Sequence, residues 1–446
     1  MRGNGDSWRK YRWHWKCAEK TVLTEKLIHY FRQIPDYRCG REKRHDLGEM
    51  LVCVTLGFLC GRTTIRRSLK WCKTHLEELR KHMNLKYGIA SPSTITRMLN
   101  GIDEELALYA FMEWIGEIVE SRNTHLAIDG KALCGATEKT KGETTPMLLN
   151  VVETVRGLIL AQLPVDSKTN EITAIPELLK LLDISGSIVT IDAVGTQTAI
   201  MEQIHEQGGH FVLTVKKNQP EAYEEIHTFM DKLGAEDLKR KKGEAMDPGM
   251  KEFLEKYEEI SQMGKNRDRN EYRTCQICKD ASNLTKSQKE WPHVQSIGRI
   301  KQVRIPKEKD SQGNDVTPSK EEFLEKGSRR IPAPSAGEGA GKDVQCTALI
   351  SDLILTAEEL GSIKRMHWSI ENRLHHVLDD TFREDRSPAK KSRNNLSLIR
   401  KYAYNILRLA MYETGLANIM TEMMDCFCDN AALRERYVFQ GIASLY

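Results

Sequence analysis

At residue 125 the hydrophobic pattern of the chain changes period, and that switch limits the folds open to it. Upstream, apolar residues recur three and four apart: Val22, Leu23, Leu27, Ile28 and Phe31, then the run over residues 50–60, then residues 65–79. That spacing lines one face of a helix. Breaks at Pro35, Gly61 and Gly88 separate the pieces. Downstream, residues 125–131 read as a short apolar strand ending in Asp129 and Gly130. Residues 146–155 and 158–165 are β-rich runs joined at Arg156-Gly157, where glycine supplies the turn of a hairpin. A helix is expected over 170–182, a strand ending in aspartate over 187–192, a helix over 196–207 and a strand over 210–215. Lys216-Lys217-Asn218-Gln219-Pro220 then leads into a helix reaching about Met230. Strands alternating with helices predict a mixed α/β sheet with helices on its faces, preceded by an α-helical domain.

The 446 residues allow about two or three domains at roughly 150 residues each. With 40% hydrophobic and 29% charged residues the chain falls among soluble globular proteins, not disordered ones. The apolar run over 50–60 is shorter than the roughly 20 residues a membrane span needs, so it is expected as a core helix. Residues 8–16 are dense in Arg and Lys with no apolar run behind them, unlike a secretory signal. A cytoplasmic protein is the expectation. Eleven cysteines, an odd number scattered along the chain, do not form a disulfide framework. Cys275 and Cys278 form a Cys-x-x-Cys pair, but in a β-like run, and they read as structural. A net charge of +4 requires any nucleic-acid binding to come from local basic surfaces.

Six segments follow. Residues 1–18 form a basic tail with interleaved aromatics, and residues 19–122 a helical N-terminal domain that is a candidate for DNA recognition. In that domain Arg66, Arg67, Lys70, Lys73, Arg80, Lys81 and His82 make a basic helix surface. Ser91-Pro92-Ser93-Thr94 is a helix start, with Ser91 as N-cap and Pro92 in the first helical position. The helix it opens, with Thr94, Thr96 and Arg97, is compatible with a helix-turn-helix reader. Residues 123–230 form the first part of an α/β core. Residues 231–355 read as an insertion with β segments and a flexible loop over 306–342, which is rich in Lys, Glu, Ser, Gly and Pro. Residues 356–415 complete the core, and 416–446 are a C-terminal tail.

In the completing part, Ile370, Leu374, Val377 and Leu378 recur at i, i+4, i+7 and i+8, an amphipathic helix with Glu371 beside its apolar stripe. A carboxylate at a buried margin needs a cation, a donor or a metal. Asp129 and Asp192, at the ends of two strands, are the candidate partners; in open α/β sheets, ligands gather at strand ends. The three carboxylates are 63 and 179 residues apart, so only the fold can unite them. Two-metal phosphoryl transfer needs carboxylates on rigid elements holding Mg²⁺ ions about 3.5–4 Å apart. On spacing alone, an aspartate at a strand end is more often a turn or helix cap. His367, Glu371 and His375 also share a helix face at a spacing that zinc accepts, without the His-Glu-x-x-His order of metalloproteases.

The local sequences narrow these alternatives. Ala127-Ile128-Asp129-Gly130-Lys131, Ser167-Lys168-Thr169-Asn170-Glu171-Ile172, Ile175-Pro176-Glu177-Leu178-Leu179, Val189-Thr190-Ile191-Asp192-Ala193 and Gly209-His210-Phe211-Val212-Leu213 resemble the H-repeat-associated transposases of bacterial insertion sequences. Trp291-Pro292, Ser296-Ile297-Gly298-Arg299-Ile300, His367-Trp368-Ser369-Ile370-Glu371-Asn372 and Phe382-Arg383-Glu384-Asp385 extend the resemblance in the family's order. Departures are Cys134 where an arginine is common, His376 where a tryptophan is common, and the long 306–342 excursion.

The resemblance implies a ribonuclease H-like catalytic domain whose DDE triad, here Asp129, Asp192 and Glu371, holds two Mg²⁺ ions, with Mn²⁺ as a substitute. It implies cleavage at the ends of an insertion sequence and joining of the freed 3′-hydroxyl to target DNA. The expected partners are double-stranded DNA, as terminal inverted repeats and as target, and further copies of the chain, since two ends must be synapsed. Candidate DNA contacts are Arg97, Lys131, Lys216, Lys217, Asn218, His367, Trp368, Arg373, His375, Arg386, Lys390, Lys391 and Arg393. For Lys131 the alternative is a salt bridge to a neighbouring carboxylate. The alternative functions are a catalytically inactive or domesticated DNA-binding derivative and a metal-dependent nuclease without strand transfer.

Overall fold

The computed structural model describes residues 24–40, 43–132, 147–165, 171–266, 269–284, 291–306, 308–309, 315–316, 344–387, 389–443 and 445. The basic tail, Cys134, Ser167-Lys168-Thr169-Asn170 and most of 306–342 lie outside the described residues. The first six helices are α1 (Leu27–Gln33), α2 (Leu47–Leu59), α3 (Ile65–Thr74), α4 (Leu76–Leu79), α5 (Pro92–Gly101) and α6 (Glu104–Gly116). Then come β1 (His125–Ala132), β2 (Met147–Glu153), β3 (Leu158–Val165), α7 (Glu171–Lys180), β4 (Ile188–Ile191), α8 (Thr198–Glu206), β5 (His210–Val215), α9 (Pro220–Lys242) and α10 (Lys251–Glu255). Strands β6 (Tyr257–Asn266), β7 (Arg269–Cys278) and β8 (Ser296–Pro306) follow, with the short pair β9 (Glu308–Lys309) and β10 (Asp315–Val316), and β11 (Val344–Ser351). The chain closes with α11 (Ala357–Ile370), α12 (Arg393–Thr414), α13 (Met420–Asp429) and α14 (Ala431–Arg434). Two compact units result: residues 1–187 with 368–446, and residues 188–367.

In the first unit every residue of α2 is buried, as its unbroken apolar run requires. Asp46 starts that helix, its carboxylate accepting the Glu49 N–H at 2.8 Å. The aromatic core joins Phe31, Phe111 and Trp114 around Tyr402 of α12, with ring centroids 4.7, 4.9 and 4.8 Å away. Each such ring, fully buried, contributes about 1.5–3 kcal/mol. Strands β1 and β2 are antiparallel, as are β2 and β3. Gly157 turns the β2–β3 hairpin at φ +77°, a left-handed conformation that glycine adopts without steric cost. Strand β1 does not end at Asp129. Gly130, Lys131 and Ala132 stay paired with Leu149, Leu148 and Met147 of β2.

Ser91 caps α5 as expected, accepting the Thr94 N–H at 3.2 Å. The tight turn of a helix-turn-helix does not precede it. The helix immediately before it, α4, has four residues, and residues 80–91 intervene, against the three or four residues of that motif's turn.

In the second unit β4 and β5 are parallel, with Thr190 opposite Val212 and Ile191 opposite Leu213. The stretch expected as an insertion continues this sheet: β11 pairs antiparallel with β5, β8 with β11, β7 with β8 and β6 with β7. Helix α9 runs on to Lys242, well beyond Met230. Its buried Ile226, Phe229, Met230 and Leu233 recur at helical spacing, so the apolar stripe persists under the charge-rich surface. The mixed α/β architecture with flanking helices is the one the alternating pattern predicts. No described helix is long and apolar enough to cross a membrane.

Candidate active-site carboxylates and their surroundings

Asp129 lies within β1, opposite Asn150 of β2. Its side chain is 32% exposed, and the Nδ1 of His375 stands 3.7 Å from its carboxylate. Burial and the nearby ammonium groups of Lys131 and Lys401 push the His375 imidazole down to about 4. The ring is therefore neutral at pH 7, and the contact is not an ion pair.

Helix α11 passes at Ile370 into widened turns. The His376 N–H donates to Glu371 O, and the Phe382 N–H to Val377 O, each a five-residue step. Such π-helical turns are frequent at functional sites. Glu371 opens the first of them and is exposed, whereas Leu374 and Leu378 are buried. The Tyr404 hydroxyl of α12 donates to Arg373 O at 2.9 Å and braces the turn. The apolar stripe expected beneath the carboxylate is present, but it runs through π turns and not a regular α-helix.

Lys131 is buried, with its Nζ 2.5 Å from Asp379, 3.1 Å from Glu384 and 3.7 Å from Asp385. This is the salt-bridge alternative: the buried ammonium group faces three carboxylates. Arg400 and Lys401, further along the chain, are likewise turned inward. Arg400 is buried, stacks over Phe58 at 5.5 Å and approaches Glu384 at 3.8 Å. Lys401 is buried and donates to Asn150 Oδ1 at 2.5 Å and to Gln162 Oε1. Arg386, Lys390 and Lys391 are exposed, as is Arg373, while Arg393 is half-buried.

In the second unit Asp192 immediately follows β4. Lys216 Nζ lies 2.8 Å from its carboxylate, Lys364 Nζ 3.4 Å and His367 Nε2 3.6 Å. Lys364 is 2% exposed and also donates to Thr214 Oγ1 at 2.8 Å. The other ring nitrogen of His367 meets Thr190 Oγ1 at 3.0 Å. The His367 ring, with Lys364 and Lys216, outweighs burial and holds the Asp192 carboxyl well below the usual carboxylate range. Buried His367 is itself pushed toward the neutral form. Asn218 Nδ2 donates to Ala193 O at 3.0 Å, tying the loop after β5 to the one that carries Asp192. Lys217 is exposed and Trp368 half-buried.

Lys364, Thr190, Thr214, Glu384 and Tyr404 were missing from the sequence-derived site. Lys364 carried a signal, since it stands three residues before His367 on one helix face. Among the described residues no three His, Cys, Asp or Glu side chains are gathered to hold a metal ion. The donor chemistry nevertheless fits a hard divalent cation. Asp129 and Glu371 in the first unit and Asp192 in the second are carboxylates of the kind such an ion takes, none of the three is buried, and Asp192 is held ionised beside positive charge.

Comparison with known proteins assigns this α/β chain to a class of enzymes that cut and join DNA. The family model described as "Transposase DDE domain" matches residues 120–406, and the one described as "DDE_Tnp_1-associated" matches residues 28–115. The chain belongs to the DDE transposase family of insertion sequences. The H repeat-associated protein YhhI of Escherichia coli K12 is 28% identical over 388 residues, 86% of this chain and 90% of that one. The H repeat-associated protein YbfD of the same strain is 32% identical over 196 residues, 44% of this chain and 78% of that one. A solved piggyBac transposase synaptic complex with hairpin DNA is a more distant likeness, at 10% identity and a TM-score of 0.40 over 93% of this chain and 79% of that one. DDE transposase domains generally use divalent metal ions.

Proposed function

We propose that this transposase cuts the end of its insertion sequence and joins the freed 3′-hydroxyl to target DNA, with Asp129, Asp192 and Glu371 as its catalytic carboxylates. The observation that carries the reading is Asp192, held ionised by a buried lysine and a buried histidine within the stretch that matches the DDE domain. An ion pair with one buried partner is costly to assemble, and structural stability alone would not require it at a strand end. Asp129, Asp192 and Glu371 would hold Mg²⁺, or Mn²⁺ in its place, which when bound supplies charge neutralisation at the phosphodiester and lowers the pKa of an attacking hydroxyl.

The chain's own residues keep these ligands ready. Lys364 and His367 hold Asp192 deprotonated; the neutral His375 ring flanks Asp129; Tyr404 braces the turn that begins at Glu371. Exposed Lys216, Lys217, Arg373, Arg386, Lys390 and Lys391 are candidates to meet DNA phosphates. The helical segment over 19–122 is the candidate reader of the element's terminal inverted repeats, and synapsis of two ends calls for at least two copies of the chain.

The test incubates the full chain with duplexes carrying the terminal repeats that flank its gene, in Mg²⁺, and follows both strand cleavage and covalent joining to a second duplex. Cleavage and joining that both disappear in Asp129→Asn and Asp192→Asn support the reading. Cleavage without joining identifies a nuclease; specific binding with neither identifies a non-catalytic derivative; activity that survives both substitutions removes the carboxylates from the chemistry.

A further inference from the structure

Helix α3 places Arg66, Arg67, Lys70 and Lys73 on its exposed side. Its Ser68, Leu69, Trp71 and Cys72 are buried. At about 100° per residue, Arg66, Lys70 and Lys73 fall within one narrow stripe, facing away from Ser68, Trp71 and Cys72. From Gly61 to His75 the sequence contains no Asp or Glu. Among the described residues none of these four cations forms an ion pair, although Arg80 just beyond pairs with Glu77 at 2.9 Å.

Density of charge alone does not produce this. Lys239-Arg240-Lys241-Lys242 at the end of α9 is as basic in sequence. There, however, Lys239 pairs with Glu236 at 2.7 Å, Lys241 with Asp237 at 2.6 Å, and Arg240 with Asp237 as well. On α3, Arg66 and Lys70 stand four residues apart and Lys70 and Lys73 three apart, like-charge spacings that destabilise a helix. The stripe keeps that repulsion and offers no internal anion to relieve it, so the anion it fits comes from outside.

We infer that the α3 stripe is a duplex-DNA surface that grips the phosphate backbone irrespective of sequence, and that α3, not the α5 start expected to act as a reader, supplies most of the electrostatic affinity of the N-terminal helices. Arg66 and Lys73 lie about 10 Å apart along the axis, which spans roughly three phosphates of one strand. Helix α3 packs against α5, on which Ser93, Thr96 and Arg97 are exposed. This inference rests on the reading that DNA is the substrate.

The experiment measures binding of the full chain to a fluorescent duplex of arbitrary sequence across a KCl series. It compares wild type with R66Q/K70Q/K73Q and with K239Q/R240Q/K241Q. Each lost phosphate contact lowers the slope of log K against log salt by about 0.9. The α3 variant should therefore lose about 2–3 from the slope, while the α9 variant, with the same charge removed, loses less than about 1. Because like charges are relieved, the α3 variant should melt at or above the wild-type temperature. A wild-type protein that binds the duplex alongside an α3 variant with an unchanged slope overturns this inference alone; equal losses in both variants overturn it too, as they mark an effect of overall charge. A lower melting temperature for the α3 variant overturns the premise that these side chains lack partners. Failure of the wild type to bind duplex DNA removes the inference together with the proposed function.

Discussion

Replacing Lys131 by methionine removes the ammonium group that faces Asp379, Glu384 and Asp385. The side chains of Lys131 and Glu384 are 3% and 2% exposed, so solvent screening gives little relief. Breaking a buried pair by deleting one partner costs about 3–5 kcal/mol, because the remaining charge stays desolvated. Arg400, at 3.8 Å from Glu384, would be left to face the carboxylates. With each kcal/mol shifting a transition by about 2–4 °C in a unit of this size, melting should fall by roughly 6–20 °C. Burial pushes the Lys131 ammonium down, but Glu384 and Asp379 outweigh it and raise its pKa. Its contribution is therefore fully present below the ordinary lysine pKa and fades only as pH rises through the folded value. The assay is a calorimetric melt at pH 7 run beside a salt series of DNA binding. Asp379→Asn in the Lys131→Met background should recover part of the loss, since one carboxylate no longer needs a partner. A variant that keeps its melting temperature but loses about one contact's worth of salt slope would make Lys131 a phosphate ligand and refute the buried-cluster reasoning.

Glu371→Gln should abolish metal-dependent cleavage while changing stability by less than about 0.5 kcal/mol, because the side chain is exposed; a large fall in melting temperature would mark Glu371 as structural. Gly57→Ala should destabilise the helical segment by about 1–3 kcal/mol or more, read as a lower urea midpoint, because its Cβ would stand 2.1 Å from Ser68 Cβ and 2.5 Å from Ser68 Cα. Burial pushes Lys401 down to about 7, so between pH 7 and about 10.4 the unfolded chain binds the extra proton, and stability rises with pH by up to about 1.4 kcal/mol per unit. Lys401→Met should flatten that rise in urea titrations across the window.

The period switch at residue 125 made the order of elements legible. The β2–β3 hairpin, α7, α8 and β5 fall where alternation and helical spacing put them, because each buries a face whose pattern is local. What escaped was pairing at a distance. The β6, β7, β8 and β11 segments look like a separate insertion in sequence, since charge-rich α9 and the 306–342 excursion surround them. Their backbone hydrogen bonds run through β11 to β5, and nothing in the local pattern names that partner. The α5 start was read correctly as a cap, yet its reading as a helix-turn-helix failed because the connection, residues 80–91, is too long.

The same limit governed the charges. Lys131, Arg400 and Lys70 are all cationic residues whose partners the local sequence does not name. Lys131 is neutralised by Glu384, 253 positions away, and Arg400 turns to the same carboxylate, whereas Lys70 meets no anion among the described residues. A cation becomes structural when the fold brings an acid to it, and it remains available to a polyanion when the fold does not. Lys364 shows the intermediate case: it is buried like Lys131, but the carboxylate it meets is Asp192, which is itself 44% exposed. A buried lysine spent on a solvent-facing aspartate does little for stability, because the exposed end of the pair is screened. Its effect is to hold that aspartate ionised, as the role proposed for Asp192 requires.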